Sequence, residues 1–540
     1  MAPTLVLPVL LVNPVPVSVV TPVHVSRLSS LLGAHPSPSL VAYVVHGFRH
    51  GFDLGYSGLL TPSRPDNLRS ALADVPGVSA AILLELRRRH VAGPFAVPPF
   101  PVLHCSPLGA APKPDGSVRL IMDLSSPRGD AVNEGIDREQ FSVVYSSFDE
   151  AVRLVARLGS GAFLAKLDVQ HAFRLCPVRL DQLPLLGFRW EGRYFVDTRL
   201  PFGSRSSPFI FTQFADLLHW ILHNVYYIAF ILHYLDDYFL CAGSREACAQ
   251  DMSRMQGACA FLGVPLAAGK TAGPTQQLTY LGIEIDAAAQ VVRLPQVKLA
   301  ALLVLLAAWR GRKKCTKREL LSLIGSLSFA AKVVQPGRIF LRRLIELSTS
   351  VRSLHHFVTI NAEAQADIAW WADFVVSWNG VSVIQQAPVP STALHLFTDA
   401  SLVGIGGLYG ARWFSAALPP RLRSTPIHVL ELFAILASVL LWGPAWRDRH
   451  IVFHTDNLAI TQVWQSGSSR DPAVMRLVRR LFFFAAQHNI ALSFRHIPGS
   501  SNVLADLLSR LQVPEFHRRA PWAHPIESQL PPAVWTIFPP

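Results

Sequence analysis

Acidic residues are in short supply: 36 Asp and Glu stand against 49 Lys and Arg, a formal charge of +13 over 540 residues. That balance favours a polyanionic partner, with nucleic acid the leading candidate. Cysteine is scarce too, and the six, at 105, 176, 241, 248, 259 and 315, show no C-x-x-C spacing. This excludes a zinc site and a paired disulfide framework, and it predicts free thiols in a reducing, intracellular compartment. Composition does not choose between cytoplasm and nucleus. Uninterrupted apolar runs are also missing: the longest contain His or Asp, or break at Gly-Pro as in "LFAILASVLLWGPAW". Core elements account for them better than membrane helices, so no membrane partner is expected. The opening "MAPTLVLPVLLVNPVPVSVV" lacks a basic n-region and is broken by prolines, which predicts an extended, poorly ordered leader rather than a signal peptide.

What is present is a chain half hydrophobic, long enough for several domains. Residues 1–95, rich in Pro, Ser and His, predict a partly disordered N-terminal extension with one helix-like stretch, "SAAILLELRRRH". Short strands and turns follow. "PKPDGSVRLIMD" and "GFRWEGRYFVDTRL" read as hairpins turning at Asp-Gly and Glu-Gly. Helices and apolar strands alternate up to "LTYLGIEID", the pattern of an α+β fold with helices over a mainly antiparallel sheet. Residues 291–380 switch to helical periodicity with Arg and Lys near the helix ends. A linker, "NGVSVIQQAPVPST", leads to a second strand-rich unit over 391–512, and 513–540 reads as a Pro-rich tail.

"FILHYLDDYFLCAG" places Asp236 and Asp237 inside an apolar stretch. Burying two adjacent carboxylates without partners is costly. Neighbours on a strand point to opposite faces, so the pair shares a site only at a hairpin bend. Asp168 ends another apolar strand, "FLAKLD". An isolated Asp-Asp is an ordinary turn signal; the flanking strands and the second strand-end acid weigh against that here. Three converging carboxylates call for divalent cations such as Mg²⁺, and two such ions suit phosphoryl transfer.

"YLDD" between apolar runs resembles the catalytic hairpin of reverse transcriptases. That resemblance implies a right-hand polymerase (fingers, palm, thumb), with fingers and palm over 96–290 and a helical thumb and connection over 291–380. It implies Asp168, Asp236 and Asp237 as metal ligands, with two Mg²⁺ per site and Mn²⁺ as an alternative. "KPDGSVRLIMD" is similar to the fingers hairpin, implying triphosphate contacts from Lys113 and Arg119. "KLDVQHAFRLCPV" puts Phe173 where the family blocks a ribose 2′-OH. "LPFGSRSSPFIFTQF" is similar to the dNTP- and template-contacting segment, with Phe202, Gly203 and Gln213. "LGVPLAAGKT" puts Lys270 near the triphosphate, and "LTYLGIEID" resembles the primer grip. Taken singly, Phe173 could be core, and Lys270 and Arg119 solvated charges. Their common order over nearly two hundred residues argues otherwise.

In the second unit, "LFTDASLVGIGG", "HVLELFAILASV", "IVFHTDNLAI" and "SSNVLADLLSR" carry Asp399, Glu431, Asp456 and Asp506 at or near element ends. By count alone, four acids over a hundred residues mean little. The motifs around them resemble RNase H, which implies two metal ions and hydrolysis of the RNA strand of a hybrid. His496 in "FRHIPG" reads as a strand residue and receives no catalytic role. An integrase-type triad would place the glutamate last, and here it comes second.

No aspartic-protease "DTG" and no zinc knuckle are present. "SPLGAAPKPDGSVRLIMDLSSPRGDAVNEGI" and the helical stretch after residue 293 resemble DIRS-type retrotransposons, the tyrosine-recombinase class, with gypsy-type LTR elements as runner-up. In DIRS elements a recombinase lies downstream, and this chain is expected to stop before it. Implied partners are an RNA template, a DNA primer, dNTPs and the RNA–DNA hybrid. The rival expectation is a decayed or domesticated copy that only binds nucleic acid.

Overall fold

The computed structural model describes residues 12–113, 116–378, 380–384, 396–447, 449–466, 469, 471–488 and 490–537. The chain divides into two compact units, Met1–Leu154 with Gly161–Leu278, and Val155–Ser160 with Thr279–Pro540.

Unit 1 begins with helices α1 (Val25–Leu31), α2 (Pro38–His50), α3 (Arg69–Leu72) and α4 (Val75–Arg87), followed by β1 (Val91–Phe95). Ser37 caps α2 by accepting from the Leu40 N–H, with Pro38 at the first turn. Val44 and Phe48 on α2, Leu28 on α1 and Ile82 on α4 are buried in one core with Leu167, Phe214 and Tyr238. The expected extension over 1–95 is therefore corrected: residues 12–95 are structural members of this unit. Their apolar residues recur at helical spacing, which the prolines and histidines between them obscured. Residues 1–11 of the expected leader lie outside the described residues.

The remaining strands of unit 1 are β2 (Leu108–Pro112), β3 (Val118–Met122), β4 (Phe163–Asp168), β5 (Gly187–Trp190), β6 (Arg193–Asp197), β7 (Ile231–Tyr234), β8 (Asp237–Ala242) and β9 (Ala272–Thr275). Helix α5 (Phe148–Leu158) precedes β4, and α6 (Ser207–Asn224) and α7 (Arg245–Leu262) flank the β7–β8 hairpin. The sheets are β7-β8-β4-β9, β1-β6-β5 and the hairpin β2-β3. Glu191 and Gly192 both have positive φ, 46° and 77°, giving the β5–β6 turn the twist a two-residue hairpin prefers. Residues 114 and 115 of the expected Asp-Gly turn lie outside the described residues.

Unit 2 contains a sheet in the order β10 (Gln277–Tyr280), β11 (Ile283–Asp286), β12 (Val291–Arg293), β15 (Val381–Val383), and a pair of short strands, β13 (Lys314–Thr316) with β14 (Phe357–Thr359). Between them run α8 (Gln296–Trp309), α9 (Lys317–Ala330), α10 (Arg342–Thr349) and α11 (Ala362–Ser377). Thr316 and Glu319 form a reciprocal capping box at the start of α9. The purely helical expectation for 291–380 is thus amended. Three-residue strands are too short to show alternation in sequence.

The rest of unit 2 is a five-stranded sheet, order β18-β17-β16-β19-β20, from β16 (Phe397–Ala400), β17 (Gly404–Tyr409), β18 (Arg412–Ala417), β19 (His450–Thr455) and β20 (Ala491–His496). The first three strands are antiparallel and β19 and β20 join in parallel. Helices α12 (Ile427–Trp442), α13 (Leu458–Ser466), α14 (Pro472–Gln487), α15 (Val503–Ser509) and α16 (Val513–Arg519) complete it. The segment Ile427–Trp446 is long and apolar enough to cross a membrane, yet 67% of it is buried inside the protein. The expected tail over 513–540 is also corrected. Phe516, Val534 and Ile537 are buried, and the Trp413 indole N–H donates to the His524 carbonyl at 2.6 Å. Most of the expected linker, residues 385–392, lies outside the described residues. The mixed helix-and-sheet class bears out the α+β expectation.

Candidate active sites

Tyr234 pairs with Asp237 across the β7–β8 hairpin, so only Leu235 and Asp236 form its turn. Leu235 takes φ 54°, an uncommon conformation for a bulky residue and the kind of local strain found at functional sites. On the other side β8 pairs with β4 so that Asp168 stands directly opposite Asp237. Residues opposite each other in an antiparallel ladder share a face, which puts both carboxylates on one side of the sheet. The Asp236 carbonyl accepts from the Val169 N–H at 2.9 Å, tying the turn to the end of β4. Tyr238 points the other way and donates its hydroxyl to Ala215 of α6 at 3.0 Å. The helix therefore supports the hairpin from the side opposite the acids.

Asp168 is 4% exposed and receives the Lys270 ammonium at 2.8 Å. Burial and the charge of Asp168 raise the Asp236 pKa, against Lys270 and Arg119. Burial and the charges of Asp236 and Asp168 push Asp237 up to about 6. This is the electrostatic signature of carboxylates held closer than their own repulsion allows.

Ala111 pairs with Arg119 across β2–β3, and Lys113, two residues on, falls on the same face. The Lys113 N–H continues the ladder to the Ser117 carbonyl at 2.8 Å. Arg119 lies 5.9 Å from the ring centre of Phe202, and Phe202 lies 5.2 Å from Phe173. Gly203 has φ 120°, and a Cβ there would meet the Met122 carbonyl oxygen at 2.0 Å, so only glycine fits between these chains. Gln213 is half-buried on α6. Two residues escaped the sequence reading. Lys166 shares the face of Asp168 by period-two spacing and lowers the pKa of Asp237. Asn133 donates to the Gly203 carbonyl at 2.9 Å and accepts from the Arg205 N–H at 2.8 Å, clamping that loop. Strand period could have found Lys166; nothing local marks Asn133.

In unit 2, Asp399 sits on β16 opposite Gly406. A Cβ at Gly406 would meet Leu508 Cβ at 2.5 Å and the Ser509 nitrogen at 2.6 Å. The bare glycine strand lets α15 sink onto the sheet and carries Asp506 toward Asp399. The Ser509 hydroxyl donates to Asp399 at 2.7 Å, and Arg510 Nε donates to Asp506 at 2.8 Å. Asn457, next to Asp456, donates to Glu431 at 2.5 Å. Burial and the charges of Asp456 and Asp506 push Asp399 up to about 6, opposed by the Ser509 hydrogen bond. Burial, Asp456 and Asp399 likewise raise Glu431, against Asn457. His496 ends β20, its Nε2 3.1 Å from the Asp456 carbonyl.

Among the described residues no group of three or more His, Cys, Asp or Glu side chains is arranged to hold a metal ion. The donor chemistry nonetheless fits a hard divalent cation. Both sites present only carboxylate oxygens, and in both a raised pKa reports missing positive charge. Asp168, Asp236 and Asp237 would hold the cation in unit 1, and Asp399, Glu431, Asp456 and Asp506 in unit 2.

Residues 111–285, which contain the first site, match the family described as reverse transcriptase (RNA-dependent DNA polymerase). This segment is similar to reverse transcriptase domains. Among curated relatives, Polyprotein P3 of Commelina yellow mottle virus is 20% identical over 407 residues, covering 70% of this chain and 20% of that protein. The Transposon Tf2-3 polyprotein of Schizosaccharomyces pombe is 20% identical over 431 residues, covering 76% and 29%. The Pro-Pol polyprotein of Simian foamy virus type 1 is 23% identical over 181 residues, covering 33% and 14%. The chain thus spans less than a third of the length of these relatives. A solved foamy viral protease-reverse transcriptase in complex with double-stranded DNA superposes with a TM-score of 0.49 at 14% identity, covering 90% of this chain and 84% of that one.

Proposed function

We propose that the chain is an RNA-directed DNA polymerase that also cleaves the RNA strand of the hybrid it makes, as part of a DIRS-type retroelement. The observation that carries the first activity is the register of Asp168 opposite Asp237 with Asp236 in the turn, inside the matched reverse transcriptase segment. Divalent cations bound there would activate a primer 3′-OH and stabilise the transferring phosphate. The chain's own residues orient the reaction. Lys113 and Arg119 present positive charge from the fingers hairpin to a triphosphate, and Lys270 neutralises Asp168 where a divalent cation would otherwise do so. Phe173, backed by Phe202 and Phe211, closes the pocket against a ribose 2′-OH. In unit 2, Ser509 and Asn457 fix the orientation of Asp399 and Glu431 for attack by water on RNA. The DIRS assignment rests on the stretches around the fingers hairpin and the helices after residue 293.

Primer extension on an RNA template with dNTPs tests this directly. The expected result is template-directed, Mg²⁺-dependent product and RNA cleavage in the hybrid. Template binding without incorporation would favour a decayed, binding-only copy. Full activity of an Asp236→Asn, Asp237→Asn variant would sink the assignment of the acids.

A further inference from the structure

The N-terminal helices bear none of the polymerase motifs, yet one of them reaches the nucleotide pocket through a buried ionic network. Arg174 is 8% exposed. Its Nη1 donates to Asp197 at 2.6 Å and its Nη2 contacts Glu85 of α4 at 2.9 Å. Glu85 is held in turn by His90 Nδ1 at 3.0 Å and by Arg88 at 3.5 Å. Burial alone would raise the Glu85 pKa, but His90, Arg174 and Arg88 hold it down at about 2.

Arg174 and its partner Asp197 each lie close in sequence to an aromatic residue of the pocket. Arg174 follows Phe173 in a single 3₁₀ turn, Ala172–Leu175, and so short a turn has little stability of its own. Its entry residue His171 has φ 58°, a conformation that surrounding contacts must impose. Asp197 ends β6, and five residues later comes Phe202, whose ring lies 5.2 Å from Phe173. The guanidinium also reaches the Leu200 carbonyl at 3.5 Å. A bidentate arginine spanning two carboxylates fixes geometry where a point charge would not.

We propose that Glu85 of α4 is a positioning residue for sugar selection: through Arg174 it fixes the turn that aims Phe173 against Phe202, so that residues N-terminal to the polymerase motifs set the preference for dNTP over rNTP. This deepens the polymerase reading above and rests on it. Neither Glu85 nor Arg174 is assigned contact with substrate. Glu85→Gln keeps the shape and removes the charge, leaving Asp197 as the only charged partner of Arg174. Arg174→Lys keeps the charge but cannot span both acids.

The test measures kcat/KM for dNTP and rNTP incorporation by the full chain on one RNA template, alongside primer–template affinity and thermal unfolding. Phe173→Val should collapse the dNTP/rNTP ratio; an unchanged ratio there removes the sugar-selection reading of Phe173 and this proposal with it. Glu85→Gln and Arg174→Lys should each lower the ratio by about tenfold, within the range that pocket geometry controls. Primer–template affinity should stay level, and exposed Arg87→Ala on the same helix should not move the ratio. Combined with Phe173→Val, Glu85→Gln should add nothing further, because its effect passes through Phe173. A lowered melting temperature with an unchanged ratio would make the network merely structural and overturn the proposal. So would additive effects in the double variant. If Glu85→Gln fails to fold, Arg174→Lys carries the test.

Discussion

Asp168 and Asp237 meet because two strands lie in register, whereas Asp399 and Asp506 meet because a helix sinks onto a glycine strand. The first site is set by backbone hydrogen bonds along a ladder. The second depends on close helix–sheet packing, and so on residues that carry no charge. Their compensation differs as well. Lys270, a long and mostly exposed side chain, neutralises Asp168 and is free to swing away. Ser509 and Asn457 hold their acids with short hydrogen bonds that substrate has no reason to displace. The first site holds a displaceable positive charge beside its acids, and the second holds fixed neutral donors.

The sharpest way to break the comparison is to remove one set of acids at a time. Asp236→Asn with Asp237→Asn should abolish dNTP incorporation by about 10³-fold or more while hybrid cleavage survives, and Asp399→Asn should do the reverse. Loss of both reactions from either variant would mean the sites are not separable. Next in size is Gly406→Ala. The added Cβ must displace Leu508 or the Ser509 backbone, costing on the order of 1–3 kcal/mol and misplacing Asp506. Hybrid cleavage should fall and primer extension should not.

That contrast also explains what could be read from sequence. The hairpin acids were legible because a two-residue turn between apolar strands is a local pattern, and strand period does the rest. The β2–β3 and β5–β6 hairpins were legible for the same reason. The second quartet was visible only through motif resemblance, since its four elements are brought together by packing. The helices before residue 75 and the burial of Phe516 and Val534 were missed because proline-rich texture imitates a tail while leaving a few apolar anchors, whereas the stretch that forms α4 was legible. Lys166 stands inside the motif of Asp168, two residues before it, and strand period alone puts it on the same face. Asn133 lies seventy residues from the loop it clamps, a contact no local rule predicts.

A smaller effect separates a mobile counter-ion from a fixed one. Lys270→Met should raise the KM for dNTP by about tenfold, because in the proposed polymerase site the replaced charge faces the triphosphate and a surface-exposed ammonium contributes modestly. The kcat should change less, since Asp168 stays in register without it. Ser509→Ala should instead lower kcat for hybrid cleavage with little change in KM, because Ser509 orients an acid and meets no substrate. The same split in both variants would erase the distinction drawn between the two sites.

The smallest effect is on stability. Asp237 titrates near 6 in the folded chain and near 3.9 when unfolded. The folded state therefore binds more protons between those values, and stability falls as pH rises from about 4 through about 6. Above that window the penalty is complete. Asp237→Asn removes it, so the variant should be more stable than the parent at neutral pH by about 1–3 kcal/mol, the gain vanishing near pH 4. Adding Mg²⁺ should stabilise the parent more than the variant, because a cation that binds only the folded acids adds to its stability. Asp399→Asn should gain about as much, since burial and its neighbouring acids push Asp399 up to about 6 even with the Ser509 hydroxyl donating to it. Thermal unfolding across pH, with and without Mg²⁺, measures all of these. A much smaller gain at Asp399 would show that the Ser509 hydrogen bond relieves its acid more than the surroundings of Asp237 relieve that one.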